Sequence, residues 1–175
     1  MLCSLPAIQL SWQLFTDTLG ANPVETLEHT TGDWALYFLL LTLATPLLLK
    51  KLPRLPLPAY LIKRTLGLVA FTYASLHLLI YFIFDLSLDF AELWADILER
   101  PFILIGMLAW LLLLPLALTS TLNWQKRLKQ RWFTLHKLIY WVTGLGILHF
   151  FLLVKADITQ PSLLLIVYLL ILWKK

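Results

Sequence analysis

Long apolar stretches separated by short polar segments run along the whole sequence. A bilayer core about 30 Å thick requires about 20 apolar residues in one helix. Three stretches meet this length with few or no charged residues: Leu61–Phe84, Pro101–Ser120 and Trp132–Val154. A shorter but strongly apolar stretch, Trp34–Leu49, includes Pro46 near its end. We interpret all four as membrane-spanning helices.

The two ends of the sequence are also apolar, but their stretches are shorter. We count Leu2–Phe15 and Ser162–Trp173 as spanning helices that are short or incomplete in this sequence. A secretory signal peptide is the alternative for the first stretch, but no basic segment precedes it. The pattern therefore predicts an all-α, polytopic membrane protein with a six-helix transmembrane bundle. It forms a single domain over residues 1–175, because no loop is long enough to fold by itself.

The composition supports a membrane protein. Hydrophobic residues make up 60% of the chain and charged residues 14%, against about 25% charged in an ordinary soluble domain. The mean hydropathy is +0.80. A soluble core of this size could not bury so much apolar surface, which excludes a soluble α/β enzyme and a disordered chain. Since Cys3 is the single cysteine, a disulfide scaffold is excluded as well.

The charged residues are distributed asymmetrically between the predicted loops. All 10 acidic residues fall on one side of the predicted membrane. All but Arg100 and Lys155 of the 14 basic residues fall on the other side or at the end of the chain. Cytoplasmic loops carry an excess of Lys and Arg. The distribution therefore predicts that both termini are cytoplasmic.

Three of the four histidines lie within predicted spans, and they are the candidate functional residues. His77 lies in span three, and His136 and His149 lie in span five, whereas His29 is interpreted as a solvated residue of an outer loop. Ionisable residues inside a membrane are costly and are usually functional. Since no span contains an acidic residue, these histidines favour axial ligation of haem iron over proton or cation transport. The alternative is a histidine that only hydrogen-bonds a neighbouring helix.

The depth of each histidine predicts which of them form a pair. At 1.5 Å per residue, His77 and His149 lie about 22 and 26 Å above the cytoplasmic ends of two parallel spans. They could therefore bind one haem near the outer face. His136 lies about 20 Å lower and about 140° around the same helix. It could bind a second haem, but span three offers Lys63, Arg64 and Gly67 at that depth rather than a histidine.

Several motifs extend over nearly the whole chain and together indicate a known family. They are Leu19–Glu25 with Thr31-Gly32, Lys63–Leu68, Tyr73–His77, Glu99–Phe102, Pro115–Thr121, Arg131–Tyr140 and His149–Lys155. With these motifs the sequence resembles the haem-binding membrane subunits of the bacterial periplasmic methionine-sulfoxide reductase system, the MsrQ (YedZ) type. These subunits belong to the ferric-reductase-like transmembrane superfamily.

The resemblance implies a b-type cytochrome of the bacterial inner membrane. His77, His136 and His149 match the haem-ligand histidines of the family, which implies one or two haems b. An FMN is also associated with the family, but no residue here can be assigned to it. Electrons would pass from the quinone pool, or from a cytoplasmic flavin reductase, to a periplasmic molybdopterin-dependent methionine-sulfoxide reductase that repairs oxidised proteins. The chain would then be an electron-transfer subunit and not an enzyme by itself.

Two other functions fit the sequence less well. A stand-alone haem-dependent reductase of ferric chelates or quinone would use the same histidines without a periplasmic partner. A small transporter is the other alternative, but the spans lack both acidic residues and the paired broken helices of many transporters. We expect lipid as the surroundings of the protein and no nucleic-acid partner.

Overall fold

The computed structural model describes residues 2–51, 58–154 and 156–174, and every regular element within these ranges is helical. A short 3₁₀ turn, Leu2–Ser4, precedes the first helix, and a π-helical turn, Tyr81–Asp85, extends the third. The α-helices are α1 (Leu5–Phe15), α2 (Pro23–Lys51), α3 (Ala59–Ile80), α4 (Phe90–Glu99), α5 (Pro101–Leu118), α6 (Leu122–Leu128), α7 (Gln130–His136), α8 (Leu138–Leu153) and α9 (Thr159–Trp173).

Four helical segments in the described part of the chain are long and apolar enough to cross a membrane. They are Pro23–Lys51, Ala59–Asp85, Pro101–Leu118 and Gln130–Leu153. The prediction of an all-helical, multi-pass chain is thus confirmed. Helix α9 is apolar but shorter, and α1 has 11 residues. The predicted count of six spans and the cytoplasmic position of both termini stay predictions.

The predicted outer loop between Phe15 and Trp34 was wrong, because most of it is helical. Helix α2 begins at Pro23. Proline suits the first turn of a helix, and the Asn22 side chain accepts a hydrogen bond from the Glu25 backbone N–H at 3.4 Å. Because the first turns of α2 are polar, a search for apolar residues does not find this part of the helix. His29 is exposed, as expected, but it lies on α2 and not in a loop.

Two further boundaries differ from the prediction. The predicted loop Asp85–Arg100 contains α4, whose first turn is capped by the Asp89 side chain accepting from the N–H groups of Ala91 and Glu92. The predicted continuous span Trp132–Val154 is divided at Lys137 into α7 and α8. Near this break, hydrogen bonds join residues three apart, as in a 3₁₀ turn: Lys137 N–H to Thr134 O and Tyr140 N–H to Lys137 O.

The core forms where α2 packs on α3 and α5 packs on α8. Gly146 lets α8 approach α2, because a Cβ atom at this position would lie 2.8 Å from Leu36 Cδ2. The most deeply buried apolar side chains of this core are Leu43, Ala70, Leu113, Val142 and Ile147.

The buried Tyr73 hydroxyl connects the start of the chain to α3. It donates a hydrogen bond to the Cys3 carbonyl at 3.0 Å and accepts one from the Ala7 N–H at 3.0 Å. Tyr73 is only 3% exposed, so both bonds are shielded from water. This single hydroxyl therefore fixes the position of α1 beside α3.

We expect Tyr73→Phe to loosen α1, because it leaves a partly buried carbonyl and N–H without a partner at a cost of about 1–3 kcal/mol. The measurement is the rate at which a maleimide labels Cys3, the single cysteine, in detergent-purified protein. Labelling should become faster in Tyr73→Phe. Tyr60→Phe is the matched control, since Tyr60 is 60% exposed. Equal labelling rates in wild type and Tyr73→Phe would contradict this role.

Candidate cofactor site

One cavity of about 310 Å³ lies among α2, α3, α5 and α8. Most of its wall is apolar, with Leu36, Leu39, Leu113 and Val142 among the lining residues. The polar residues of the wall in the described part of the chain are Glu28, His29, Asp33, His77, Tyr81, Asp85, Arg100, Trp110 and His149. An apolar cavity with a few convergent polar groups is the usual form of a small-molecule or cofactor site.

Two of the predicted histidines meet in this cavity. His77 on α3 and His149 on α8 have ring centroids 6.1 Å apart, with the ring planes at 79°. Both side chains are half-buried and line the cavity. The sequence placed the two residues at matching depth on separate helices, and the structure brings them together. Their role as ligands stays a prediction.

Each of these imidazoles is fixed by a hydrogen bond from Nδ1 to a backbone carbonyl. His77 Nδ1 lies 2.9 Å from Glu28 O on α2, and His149 Nδ1 lies 2.7 Å from Phe102 O on α5. Because a carbonyl oxygen only accepts, Nδ1 must carry the proton in both rings. The lone pair is then on Nε2. This arrangement is typical of histidines that bind a metal through Nε2.

Glycines provide the space for both rings. A Cβ atom at Gly106 would lie 2.9 Å from His149 Nδ1, and a Cβ atom at Gly32 would lie 3.4 Å from the His77 ring. A side chain at Gly106 would therefore displace the imidazole from its carbonyl partner. Sequence reasoning did not assign these two glycines to the site. Only the pairing of helices shows that each of them faces a histidine.

The separation of the two rings fits a single metal ion between them. If both rings held one metal ion, bonds of roughly 2 Å and a ring radius of roughly 1 Å would put the ring centres roughly 6 Å apart. In the described residues, no group of three or more His, Cys, Asp or Glu side chains could hold a metal ion. Two imidazoles suit an iron whose other ligands come from a macrocycle, as in haem.

His136, the third histidine predicted to be a site residue, lies apart from this cavity at the end of α7. Its ring stacks on Trp132 with centroids 3.8 Å apart. Its Nδ1 lies 3.0 Å from Trp132 O, and its Nε2 is buried without a hydrogen-bond partner. The structure therefore separates His136 from the His77–His149 pair.

A polar cluster lies beside the cavity, on residues that the sequence analysis did not assign to a site. The Tyr81 hydroxyl donates to Asp96 Oδ2 at 2.7 Å. Arg100 Nη1 lies 3.3 Å from the same oxygen. Tyr81 and Arg100 also line the cavity, whereas Asp96 lies behind them on α4. In the sequence, the only sign of this cluster is Arg100, which is an exception to the asymmetric distribution of charged residues.

Four apolar spans and an imidazole pair in a cavity between the helices define a multi-pass membrane protein with a cofactor-type site. The profile of the family described as "Ferric reductase like transmembrane component" matches residues 31–147, which is more than half of the chain.

Curated relatives give a closer assignment. The chain is 51% identical over 155 residues to "Protein-methionine-sulfoxide reductase heme-binding subunit MsrQ" of Xanthomonas euvesicatoria pv. vesicatoria (strain 85-10), covering 87% of this chain and 69% of that protein. It is 45% identical over 176 residues to the protein of the same name from Caulobacter vibrioides (strain ATCC 19089 / CIP 103742 / CB 15), covering 98% and 82%.

The chain therefore belongs to the ferric-reductase-like transmembrane family and, within it, to the MsrQ subunits. No solved structure matches the chain significantly.

We expect Gly106→Ala to destabilise the protein by about 1–3 kcal/mol, because the new methyl group overpacks the His149 ring. The measurement is thermal unfolding in detergent. Gly67→Ala is the matched control, since a Cβ atom there would meet only Thr42 Cγ2 at 4.0 Å. Alanine in an open helical position is neutral or stabilising. If Gly106→Ala and Gly67→Ala unfold at the same temperature, Gly106 is not needed to leave space for the His149 ring.

Proposed function

We propose that this chain is a b-type cytochrome subunit that carries electrons across the bacterial inner membrane. The observation that carries the proposal is the His77–His149 pair, with ring centroids 6.1 Å apart and each Nδ1 bonded to a carbonyl. The relatives are named as haem-binding subunits of a methionine-sulfoxide reductase, which supports the same cofactor. In this proposal His77 and His149 would hold one haem b.

The residues around the His77–His149 pair determine how the pair would bind haem. The Glu28 and Phe102 carbonyls hold the two rings in orientation and raise the basicity of Nε2. Most of the wall is apolar, and burial and dielectric both affect the reduction potential of a bound haem. When bound, haem iron supplies reversible one-electron transfer. The chain itself would transform no substrate.

His136 is the proposed ligand of a second haem. Its buried Nε2 has no hydrogen-bond partner, and such an atom is costly unless a ligand binds it. The chain would then carry one or two haems, according to whether His136 is occupied. An FMN is proposed from family resemblance alone.

The proposed direction of electron flow is outward. Basic residues end α2 and lie on α6, whereas acidic residues lie in the first turns of α2 and on α4. Arg54, Lys155 and Lys175, which entered the charge argument, lie outside the described residues. By the positive-inside rule the His77–His149 pair is then near the periplasmic face. The proposed acceptor is a periplasmic molybdopterin-dependent methionine-sulfoxide reductase. The proposed donor is quinone or a cytoplasmic flavin reductase.

We expect a reduced-minus-oxidised absorption spectrum of the purified protein to be that of a b-type cytochrome. His77→Ala and His149→Ala should each weaken haem binding at this site and change its absorption spectrum, because each variant removes one of the two imidazoles that would hold the haem. His136→Ala is the comparison variant, because it makes the same substitution at a histidine outside the cavity. If His136 binds a second haem, this variant loses only that one. A folded His77→Ala or His149→Ala protein with the full wild-type haem content and spectrum would refute the assignment.

The proposed six-span topology, with a single domain over residues 1–175 and both termini cytoplasmic, has a separate test. In a Cys3→Ser background, Asp157→Cys should react with a membrane-impermeant maleimide added outside the cell membrane. Asn123→Cys should react only after permeabilisation, because α6 is expected in the cytoplasm. Both side chains are exposed, so access depends only on the side of the membrane. Labelling of both positions from outside would contradict the topology.

A further inference from the structure

Arg100 is an unusual charge in the wall of the cavity. Among the described lining residues it is the one Arg or Lys, and it shares the wall with the carboxyl groups of Glu28, Asp33 and Asp85. It also departs from the charge distribution, which places nearly all basic residues on the opposite side of the membrane. A cation kept on the acidic side, beside an apolar cavity, suggests that the cavity receives an anionic group.

Two side chains hold the Arg100 guanidinium in place. Asp96 on α4 is only 8% exposed. Its Oδ2 accepts from the Tyr81 hydroxyl at 2.7 Å and faces Arg100 Nη1 at 3.3 Å. A guanidinium has five N–H donors in a fixed plane. One contact to Asp96 therefore leaves most of its donors available, and the Arg100 side chain is 53% exposed.

The position of Arg100 is also connected to the histidine pair. Arg100 directly precedes α5, and Phe102, two residues later, supplies the carbonyl that binds His149 Nδ1. Pro101 lies between them in the first turn of α5, where its ring restricts the backbone. A change in the backbone at Arg100 would thus reach the His149 ring through one hydrogen bond.

We propose that Arg100 binds the carboxylate side chains of the tetrapyrrole held by His77 and His149, and that Asp96 and Tyr81 position it. This inference rests on the proposed haem site. Haem carries two carboxylates, which the acidic groups of the wall would repel. Arginine binds carboxylates through parallel N–H bonds and keeps its charge when partly buried. The competing interpretation is an ion pair between Asp96 and Arg100 that only stabilises the end of α4.

The first experiment measures the affinity of the purified full-length chain for two probes, haem b and haem b dimethyl ester, in which the carboxylates are neutral. Arg100→Gln should bind haem b about ten-fold more weakly than wild type, the loss expected for a charge-assisted hydrogen bond. It should bind the dimethyl ester as well as wild type does. Arg100→Lys should recover part of the affinity for haem b. Arg127→Gln, outside the cavity, is the matched control and should change neither affinity.

A second measurement examines the positioning role on the haem-loaded protein. The resonance Raman band of haem carboxylate bending should shift in Arg100→Gln and in Asp96→Asn, and less in Tyr81→Phe. Glu92→Gln, an exposed acid on the same helix, should leave the band unchanged. Arg100→Gln should also lower the midpoint potential, because a positive charge near the iron favours the reduced state.

The outcomes separate this inference from the haem site itself. Suppose that wild type binds haem, and that Arg100→Gln weakens the affinity for haem b and for its dimethyl ester equally or changes neither affinity. Arg100 then does not contact the carboxylates, and the inference is wrong. An unchanged Raman band in Asp96→Asn would likewise remove Asp96 from the positioning role. If folded wild type binds no haem, the proposed function fails and this inference fails with it.

Discussion

Two hydrogen bonds, from His77 Nδ1 to Glu28 O and from His149 Nδ1 to Phe102 O, are the interactions on which the site depends. Each connects a histidine to a different neighbouring helix, so together they involve α2, α3, α5 and α8. They fix the tautomer of both rings and leave both Nε2 atoms without a proton. Without them, two imidazoles on separate helices would have no reason to face the same space.

The packing of the bundle serves this arrangement. Gly32 and Gly106 leave room for the rings, and Gly146 allows α8 to approach α2. In a membrane, helices associate through close packing and hydrogen bonds, because lipid is as apolar as a leucine side chain. Small residues at contacts are therefore expected, and here they also make the cavity. The same few residues contribute to both stability and the candidate function.

Polar groups beside the cavity also contribute to the candidate site. Helix α4, which the apolar pattern did not reveal, carries Asp96 to the Tyr81 hydroxyl and to Arg100. The long helix α2 begins early enough to place Glu28 beside His77. Both features come from segments that a hydropathy search reads as loops, since their helices are capped and partly polar. The candidate site thus draws on residues from outside the most apolar stretches.

The sequence by itself determined the membrane class, the approximate spans and the three intramembrane histidines, because apolar length and misplaced ionisable residues are visible without coordinates. It also predicted that His77 and His149 share a depth, since helical rise is constant. It could not show the first turns of α2, helix α4, the break at Lys137, or which carbonyls and glycines face each imidazole. Only the tertiary structure decided these features, because rotation and packing between helices depend on contacts between residues far apart in the chain.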